Sequence, residues 1–212
     1  MSLPASAVSI GLLDFESEET GFFSFAENAA NISTIQVISG FGGTDGIATR
    51  VSADLGSYAG GGIGGADGPF NLSAAGILGG SVSLSDVNSI QGSFDVNIPV
   101  GQSISLRLEP GNGGYNERAD LDVTVNGTGA FQNVTFDASV SDEAQKTTLI
   151  NHLNGSSVTG LKFIFAINNQ AGAIGSDFIF DNLELTAGTA VADPSSALLS
   201  GLALLGLVRR KR

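Results

Sequence analysis

The chain has 212 residues, 42% of them hydrophobic, and a formal net charge of −12, so it can bury a core and does not resemble a disordered protein. Four of its nine cations are the last four residues, 209–212, which leaves five against 21 acidic residues elsewhere. This balance excludes nucleic acid as a partner. The chain has no cysteine, which excludes disulfides and thiolate chemistry, and its 30 glycines favour short strands joined by tight turns.

The N-terminal residues are typical of the end of an export signal. Ala5, Ser6 and Ala7 have the Ala-x-Ala shape of a cleavage site, but no basic or apolar region precedes them. We therefore interpret residues 1–7 as the remnant of a signal peptide and predict that the reading frame continues upstream. An in-frame stop codon directly upstream would contradict this interpretation.

Ten apolar or alternating stretches predict β-strands. They cover residues 8–15, 32–39, 47–55, 81–87, 90–98, 103–109, 119–125, 131–138, 161–167 and 177–186. In SISLRLE, for example, Ile104, Leu106 and Leu108 share one face of the strand and polar residues share the other. The Gly-rich residues 56–68 predict a flexible loop, either a plain surface loop or the mobile rim of a binding site.

One helix is predicted, over residues 141–153, with Ser141 as its N-cap and acidic residues in its first turn. Its His152 is the only histidine of the chain and lies near the helix end, so we predict no zinc site and no Ser-His-Asp triad. One short helix among about ten strands predicts an all-β fold, an antiparallel β-sandwich with one short crossing helix over residues 8–187.

Four stretches in this order, LLDFES, GIATRV, FQNVTFDAS and DFIFDNLELT, resemble the galactose-binding-like jelly rolls, the fold of many carbohydrate-binding modules. The resemblance spans residues 8–187. It implies a jelly-roll topology for the sandwich and a polysaccharide as the expected partner.

The same resemblance implies a structural calcium ion, because several such modules join the first strand, an early loop and the last strand through one. It assigns a main-chain oxygen of Asp14, the carboxylates of Glu16 and Asp181, and Asp45 of the GGTDG loop. Calcium takes about six to eight oxygen ligands at about 2.4 Å, and converging carboxylates need a cation. The alternative is that these acids face water at strand ends.

Aromatic platforms for a sugar are scarce, since the chain has no Trp and only two Tyr. Tyr58 and Tyr115 are therefore the candidate platforms, with Asn116, Glu117 and Arg118 as polar ligand-binding partners. The phenylalanines are expected in the core. Those considered are Phe22, Phe23, Phe25, Phe163, Phe165, Phe178 and Phe180.

An enzymatic alternative rests on paired carboxylates. Asp120 with Asp122, or Glu117 with Asp120, has the residue types of a glycosidase pair, and jelly rolls host hydrolases. No second acidic strand or aromatic wall accompanies them in the sequence. We therefore predict no catalytic residues, and keep a polysaccharide hydrolase or lyase as the alternative.

The C-terminal stretch ADPSSALLSGLALLGLVRRKR predicts a linker over 188–194 and a hydrophobic helix with a basic stop over 195–212. Its apolar part, about twelve residues, would rise about 18 Å as a helix, short of the roughly 30 Å of bilayer hydrocarbon. It has no polar face, unlike a helix docked on a sandwich. Arg209 and Arg210 would stay on the cytoplasmic side during export.

This stretch resembles the PEP-CTERM sorting signal, which an exosortase recognises in Gram-negative bacteria that make extracellular polysaccharide. The Pro-Glu-Pro motif here reads Ala192, Asp193, Pro194, so its first proline is lost. The resemblance implies export, transient anchoring in the inner membrane, exosortase as a partner, and a final place at the cell surface or in the extracellular matrix. The sequence thus predicts a non-catalytic, exported surface or matrix protein that binds polysaccharide.

Overall fold

The computed structural model describes residues 7–15, 21–37, 45–65, 69–71, 87–137, 142–155 and 160–189. Within these ranges the chain forms eleven strands and one α-helix. They are β1 (Ala7–Leu13), β2 (Phe22–Ala26), β3 (Ile32–Val37), β4 (Gly46–Val51), β5 (Ala59–Gly64), β6 (Val87–Asn97), β7 (Ser103–Pro110), β8 (Ala119–Asn126), β9 (Phe131–Asp137), α1 (Glu143–Gly155), β10 (Leu161–Ile167) and β11 (Asp177–Thr189).

The strands form two antiparallel sheets. Sheet A has the order β3-β4-β11-β6-β9, with β1 pairing to β11 beside β4, and sheet B has the order β2-β5-β10-β7-β8. Helix α1 connects β9 of sheet A to β10 of sheet B and buries Leu149 and Leu153. The predicted antiparallel sandwich with one helix is confirmed, and it fits a jelly roll. The predicted C-terminal helix lies outside the described residues.

The core consists of the inward residues of both sheets. Phe163 and Phe165 of β10 and Phe178 and Phe180 of β11 are buried, as predicted from the alternation of their strands. The rings of Phe165 and Phe180 meet across the sandwich, with centroids 4.2 Å apart. Each such ring contributes about 1.5–3 kcal/mol of burial, so this aromatic layer joins the two sheets.

The loop predicted over residues 56–68 is wrong for Ala59–Gly64, because these residues form strand β5 of sheet B, between β2 and β10. Residues 66–68 lie outside the described residues. The strands pack too closely here for side chains. A Cβ on Gly60 would overlap the carbonyl oxygen of Phe165, and one on Gly61 would lie 2.6 Å from Thr49 Oγ1. Gly60 therefore leaves room for the backbone of the next strand, and Gly61 leaves room for side chains in the core. This is why the segment has the glycine content of a loop although it forms a strand.

Strand β2 was also missed, and two of its residues contradict the prediction that they lie in the core. Phe22 packs against the core, but Phe23 and Phe25 alternate with it and lie on the outer face of sheet B. Opposite them on β5 stand Gly62 and Gly60. Phenyl rings cover glycines of a neighbouring strand in this way because they supply the apolar contact that glycine lacks.

Smaller differences concern element ends. Strand β6, Val87–Asn97, covers most of the strand predicted over 90–98 and begins three residues earlier, whereas the strand predicted over 81–87 lies outside the described residues except for Val87. Helix α1 begins at Glu143, because Asp142 Oδ1 accepts the N–H groups of Ala144 and Gln145. The predicted cap Ser141 lies outside the described residues.

At the termini, β1 begins at Ala7 and pairs with Gly188 of β11, so the two strands extend slightly beyond the predicted body. No helix in the described part of the chain combines the length and the apolar composition needed to cross a bilayer. The sorting-signal residues Asp193, Pro194, Arg209 and Arg210 lie outside the described residues.

Candidate functional site

A cleft of about 620 Å³ opens on the outer face of sheet B. Its described lining residues are aromatic (Phe25, Tyr58, Tyr115), polar or charged (Ser57, Arg107, Asn168, Gln170) and aliphatic (Ala59, Ala166, Ile167). The volume falls within the roughly 300–1,000 Å³ typical of ligand pockets.

The shape of the cleft follows from missing side chains. Gly60 of β5 pairs with Ala166 of β10, so little more than backbone stands at the centre of the outer face. Strands β2 and β7 lie three strand spacings apart, about 14 Å. Phe25 and Arg107 nevertheless meet, with the Arg107 Cζ 5.8 Å from the Phe25 ring centroid. The two long side chains therefore reach towards each other over the small residues.

The two tyrosines of the chain lie in this one cleft. Tyr58 precedes β5 and Tyr115 follows β7, so 57 positions of sequence separate residues that line the same space. Their exposed fractions are 56% and 59%, which marks them as rings presented to solvent. The structure thus brings together the two predicted platforms, and it adds Phe25 as a third aromatic residue.

The loop that carries Tyr115 is held by several contacts. Lys162 Nζ donates to the Gly113 carbonyl at 2.6 Å, and His152 Nε2 lies 3.1 Å from Asn112 Oδ1. The guanidinium of Arg118 stacks on Tyr115, 3.6 Å from the ring centroid, and donates to the Tyr115 carbonyl at 2.8 Å. The Tyr115 ring is thereby fixed in place before any ligand arrives.

The three predicted polar partners of Tyr115 do not line the cleft in the described residues. Glu117 Oε2 accepts the N–H of Gly114 at 3.0 Å, and Arg118 binds Asp120 at 2.9 Å, so both stabilise the loop. Asn116 is exposed. Glu117 and Arg118 therefore position Tyr115, and the polar groups in the cleft come from elsewhere in the chain.

Tyr58 is held on the opposite side by the turn before β5. Glu27 Oε2 accepts the Ser57 N–H at 2.7 Å and the Ser57 hydroxyl at 2.8 Å, and the Glu27 N–H donates to the Tyr58 carbonyl at 3.1 Å. The two Ser57 donors, the backbone N–H first, lower the pKa of Glu27 below its ordinary value. An ionised Glu27 therefore fixes the backbone beside Tyr58.

Beneath the Tyr115 loop lies a group of three charges. Glu109, 5% exposed, has its Oε1 2.8 Å from Arg107 Nε and its Oε2 3.2 Å from Lys162 Nζ. Glu109 and Lys162 are directly opposed on β7 and β10. One carboxylate thus serves two cations, and Arg107 is the one that lines the cleft.

The sequence did not reveal Phe25, Arg107, Asn168 and Gln170 as cleft residues. Phe25 was hidden because β2 is only five residues long and was not recognised as a strand. For Arg107 a signal existed: SISLRLE places it on the polar face of a strand in a chain with few cations. This pattern indicates which face of the strand Arg107 occupies, but it does not indicate which residues of other strands lie beside it.

The carboxylates considered for catalysis are not among the described lining residues of the cleft, although Asp120 stands opposite Arg107 on β8. Asp120 binds Arg118 and accepts a hydrogen bond from Gln145 Nε2 at 3.1 Å, while Asp122 is exposed on the edge strand β8. Among the described lining residues of the cleft there is no Asp or Glu. A glycosidase needs two carboxyl groups about the scissile bond, and this part of the site does not provide them.

Three of the four predicted calcium ligands lie near one junction of sheet A. Along one edge of β11, the pairing changes from β4, which ends at Phe180, to β1, which begins at Leu183. Asp181 lies at this change and is fully buried, with its Oδ1 accepting the Asn182 N–H at 2.8 Å. Asp14 directly follows β1 and Asp45 directly precedes β4.

The registers therefore place Asp14, Asp45 and Asp181 around the same junction. Glu16, the fourth predicted ligand, lies outside the described residues. Within the described ranges, no group of three or more His, Cys, Asp or Glu side chains is arranged to hold a metal ion. Buried next to the junction is Asp95, directly opposite Asp181 on β6, and its oxygens accept Asn133 Nδ2 and Asn182 Nδ2 at 3.0 Å each.

No protein-family model and no curated protein matches the chain. Solved structures match it over most of its length. A family 11 carbohydrate-binding module of a cellulosomal cellulase from Clostridium thermocellum is 17% identical, with a TM-score of 0.51 over 88% of this chain and 99% of that one. The CBM22-1–GH10 modules of a C. thermocellum xylanase, complexed with xylohexaose, are 12% identical, with a TM-score of 0.51.

The match to the xylanase covers 87% of this chain but only 29% of the other, so the chain spans less than a third of that structure. A cyclase from Fischerella sp. TAU is 15% identical, with a TM-score of 0.51 over 88% of this chain and 100% of that one. These likenesses show that the body has the jelly-roll fold of carbohydrate-binding modules. Because a cyclase shares it, the fold alone does not decide between binding and catalysis.

Proposed function

We propose that the protein is a non-catalytic polysaccharide-binding module and that its ligand lies in the cleft of sheet B. The observation that carries this proposal is the convergence of Phe25, Tyr58 and Tyr115, from three separate elements, in one open cleft. The likeness of the fold to carbohydrate-binding modules supports it.

Sugar rings have apolar C–H faces and polar edges, so a binding site needs flat aromatic surfaces and hydrogen-bonding groups together. The cleft offers both, since Ser57, Asn168 and Gln170 lie among its aromatic residues. Tyrosine suits this task because its ring is apolar and its hydroxyl is a hydrogen-bonding group. The exposure of both tyrosines leaves surface for a ligand to cover.

Binding without catalysis agrees with the charges of the cleft. Glu109, the acidic residue nearest to Arg107, is buried and engaged with two cations, so it is not presented to a substrate. General acid–base hydrolysis needs carboxyl groups within hydrogen-bond reach of the reacting atoms. The hydrolase or lyase alternative predicts release of new sugar ends, and the binding proposal predicts none.

The test is affinity gel electrophoresis against neutral and acidic polysaccharides, with tyrosine fluorescence as a second measurement. Because the chain has no Trp and its two tyrosines both line the cleft, a change of fluorescence reports occupation of the cleft itself. Tyr115→Ala is expected to weaken binding about fivefold to tenfold, since stacking is worth about 0.5–1.5 kcal/mol per ring. Tyr115→Phe, which keeps the ring, should retain most of it.

Ile174→Ala provides a control, because Ile174 is exposed to 51% and does not belong to the described lining of the cleft. Retardation of the wild type by no polysaccharide would contradict the proposal. New reducing or unsaturated ends after incubation would favour the enzyme alternative.

We also propose that the chain is exported and sorted through its C-terminal stretch, as a PEP-CTERM-like substrate of an exosortase. Support comes from the residue pattern of 192–212 alone. Expression of the full chain in a Gram-negative host with and without an exosortase gene tests this by the mass of the mature protein. Processing that is independent of the exosortase, or unchanged in an Arg209→Gln, Arg210→Gln variant, would contradict it.

For the junction in sheet A, we propose a structural calcium ion. Asp181 would supply a carboxylate, Asp14 a main-chain oxygen and Asp45 a further oxygen, and an oxygen-only set around a buried acid fits a hard cation. A ligand that binds only the folded state at 100 times its Kd adds about 2.7 kcal/mol of stability. The melting temperature should therefore fall on adding EDTA and recover with excess Ca²⁺, and a melting temperature indifferent to both would contradict the proposal.

A further inference from the structure

The charge balance at the cleft floor differs from that around the other cations of the sandwich. Three of these cations each have an acid of their own. They are Arg50 with Asp177, Arg118 with Asp120, and Lys146 with Glu143. Arg107 and Lys162 instead share Glu109. Arg107 and Lys162 therefore have one carboxylate between them, and Asp120, opposite Arg107 on β8, is paired with Arg118. This local balance contrasts with the formal net charge of −12 of the whole protein.

Arg107 is the partner less fully satisfied by this arrangement. Lys162 also donates to the Gly113 carbonyl at 2.6 Å. The Arg107 Nε, although 2.8 Å from Glu109 Oε1, has no hydrogen-bond partner in good geometry, so this contact is an ion pair and not a directed hydrogen bond. The buried Nε is held by this ion pair, and a guanidinium has further N–H donors at its terminal nitrogens with which it can bind an acceptor.

Position makes Arg107 suitable for contact with a ligand. Its guanidinium lies 5.8 Å from the Phe25 ring centroid and 5.2 Å from that of Tyr115, between two aromatic residues of the cleft. A planar guanidinium binds carboxylate with charge-assisted, often paired hydrogen bonds, which are stronger than neutral ones. The lining described for the cleft includes no acid to oppose such a ligand.

We propose that the cleft selects an acidic polysaccharide, with the carboxylate of a uronic acid residue bound by Arg107 and the sugar rings lying against the tyrosines. This inference rests on the proposed function and narrows it to a ligand class. The acidic surface of the protein repels a polyanion at long range, so the preference must come from Arg107 in the cleft.

The experiment compares polygalacturonate with its fully methyl-esterified form, which has the same backbone without the charge, by tyrosine fluorescence and affinity gels. The wild type is expected to bind the acidic polymer at least tenfold more tightly than the ester. This difference should shrink when the salt is raised from about 50 to about 500 mM, because the Debye length is about 10 Å at 0.1 M and becomes shorter at higher salt. Arg107→Gln should weaken binding of the acidic polymer more than binding of the ester, so that the difference between the two polymers is lost. Arg50→Gln, which removes a cation on sheet A, should leave the difference intact.

Each outcome is decisive. If the wild type binds the ester as tightly as the acidic polymer or more tightly, the inference is overturned and the proposed function stands. The same holds if Arg107→Gln keeps the preference for the acidic polymer. Binding of neither polymer overturns the inference, and the wider panel of polysaccharides then decides the proposed function separately. If Arg107→Gln does not fold, Arg107→Lys keeps the charge without the planar fork and is expected to show a smaller preference, and the wild-type comparison remains a test on its own.

Discussion

The outer faces of the two sheets have opposite character. Towards the β9 edge of sheet A lies a groove of about 500 Å³, to which β8 of sheet B adds Val123. Its other lining residues are Gln91, Gly92, Ser93, Thr135, Phe136, Asp137, Glu184 and Thr186, of which six are polar. Its groups bind one another, as when Gln91 Nε2 donates to Asp137 Oδ2 at 2.9 Å. On sheet B, three aromatic residues and Arg107 border a cleft of similar size.

The two faces differ in how far their polar groups are already engaged by hydrogen bonds within the protein. On sheet A, Asp95 accepts hydrogen bonds from the amides of Asn133 and Asn182, and Asp137 accepts one from Gln91, so a ligand there would have to displace existing hydrogen bonds. On sheet B, the small residues Gly60 and Ala166 leave space beside the exposed rings of Tyr58 and Tyr115 and the partly exposed side chain of Arg107. Exposed aromatic rings, and a cation that shares its carboxylate with a second cation, both gain stabilising contacts when a ligand covers them.

The largest expected effect is a difference in stability between variants that lack a phenylalanine ring of the core and variants that lack one of the outer face. Phe94→Ala should lower the free energy of unfolding by about 3–5 kcal/mol, because Phe94 is fully buried and its ring contacts Phe163 and Phe180. Phe25→Ala, at the half-buried outer position, should lower it by about 1 kcal/mol and weaken polysaccharide binding. Urea unfolding of both variants measures this, and equal losses of stability would show that Phe25 is a core residue after all.

The next effect concerns the strand that shapes the cleft. Gly60→Ala should destabilise the protein by about 1–3 kcal/mol, because the added methyl group overlaps the Phe165 carbonyl and lies 2.9 Å from the Phe25 ring. Gly114→Ala is the matched control, since Gly114 is extended, with φ −141°, and a Cβ there meets nothing within 4 Å. Chemical denaturation of both variants decides, and a neutral Gly60→Ala would mean that the strands separate readily.

A smaller effect tests the contrast between the faces directly. Tyr58→Ala should weaken binding of a retained polysaccharide about fivefold, whereas Gln91→Ala in the sheet A groove should leave it unchanged. Both side chains are exposed at the surface, so folding should tolerate both substitutions. Weaker binding in Gln91→Ala would move the ligand, or part of it, to sheet A.

Most of the fold followed from the alternation of side chains, and the exceptions have a physical cause. Strands such as β7 and β10 show period 2 because one face is buried. Strand β5 shows no such period, since glycine gives no sign of which face it presents, and its strand conformation comes from the neighbours β2 and β10. Propensity therefore failed where tertiary packing decides.

The site was predictable only in part, for a related reason. Tyr58 and Tyr115 were found because they are the only tyrosines and stand in Gly-rich stretches. Asn116, Glu117 and Arg118 were chosen as neighbours in sequence, whereas the cleft is built from β2, the start of β5, the end of β10 and β7, which follow one another across the sheet. The register sets Phe25, Gly60, Ala166 and Ser105 in one row, and Arg107, two residues along β7, reaches Phe25 diagonally, which no local pattern reveals.

The smallest effect is a pH dependence at the Tyr58 side of the cleft. The Ser57 donors lower the pKa of Glu27 from its ordinary 4.5, so the folded state favours the ionised carboxylate. The stabilisation is therefore complete above about pH 4.5 and is lost as pH falls through the lower folded value. The amide signal of Ser57, followed by NMR, should titrate with a midpoint below 4.5, and Glu27→Gln should abolish that titration. A midpoint at or above 4.5 would show that the Glu27–Ser57 contact does not hold the Tyr58 turn, and the cleft would then be pre-formed on its Tyr115 side alone.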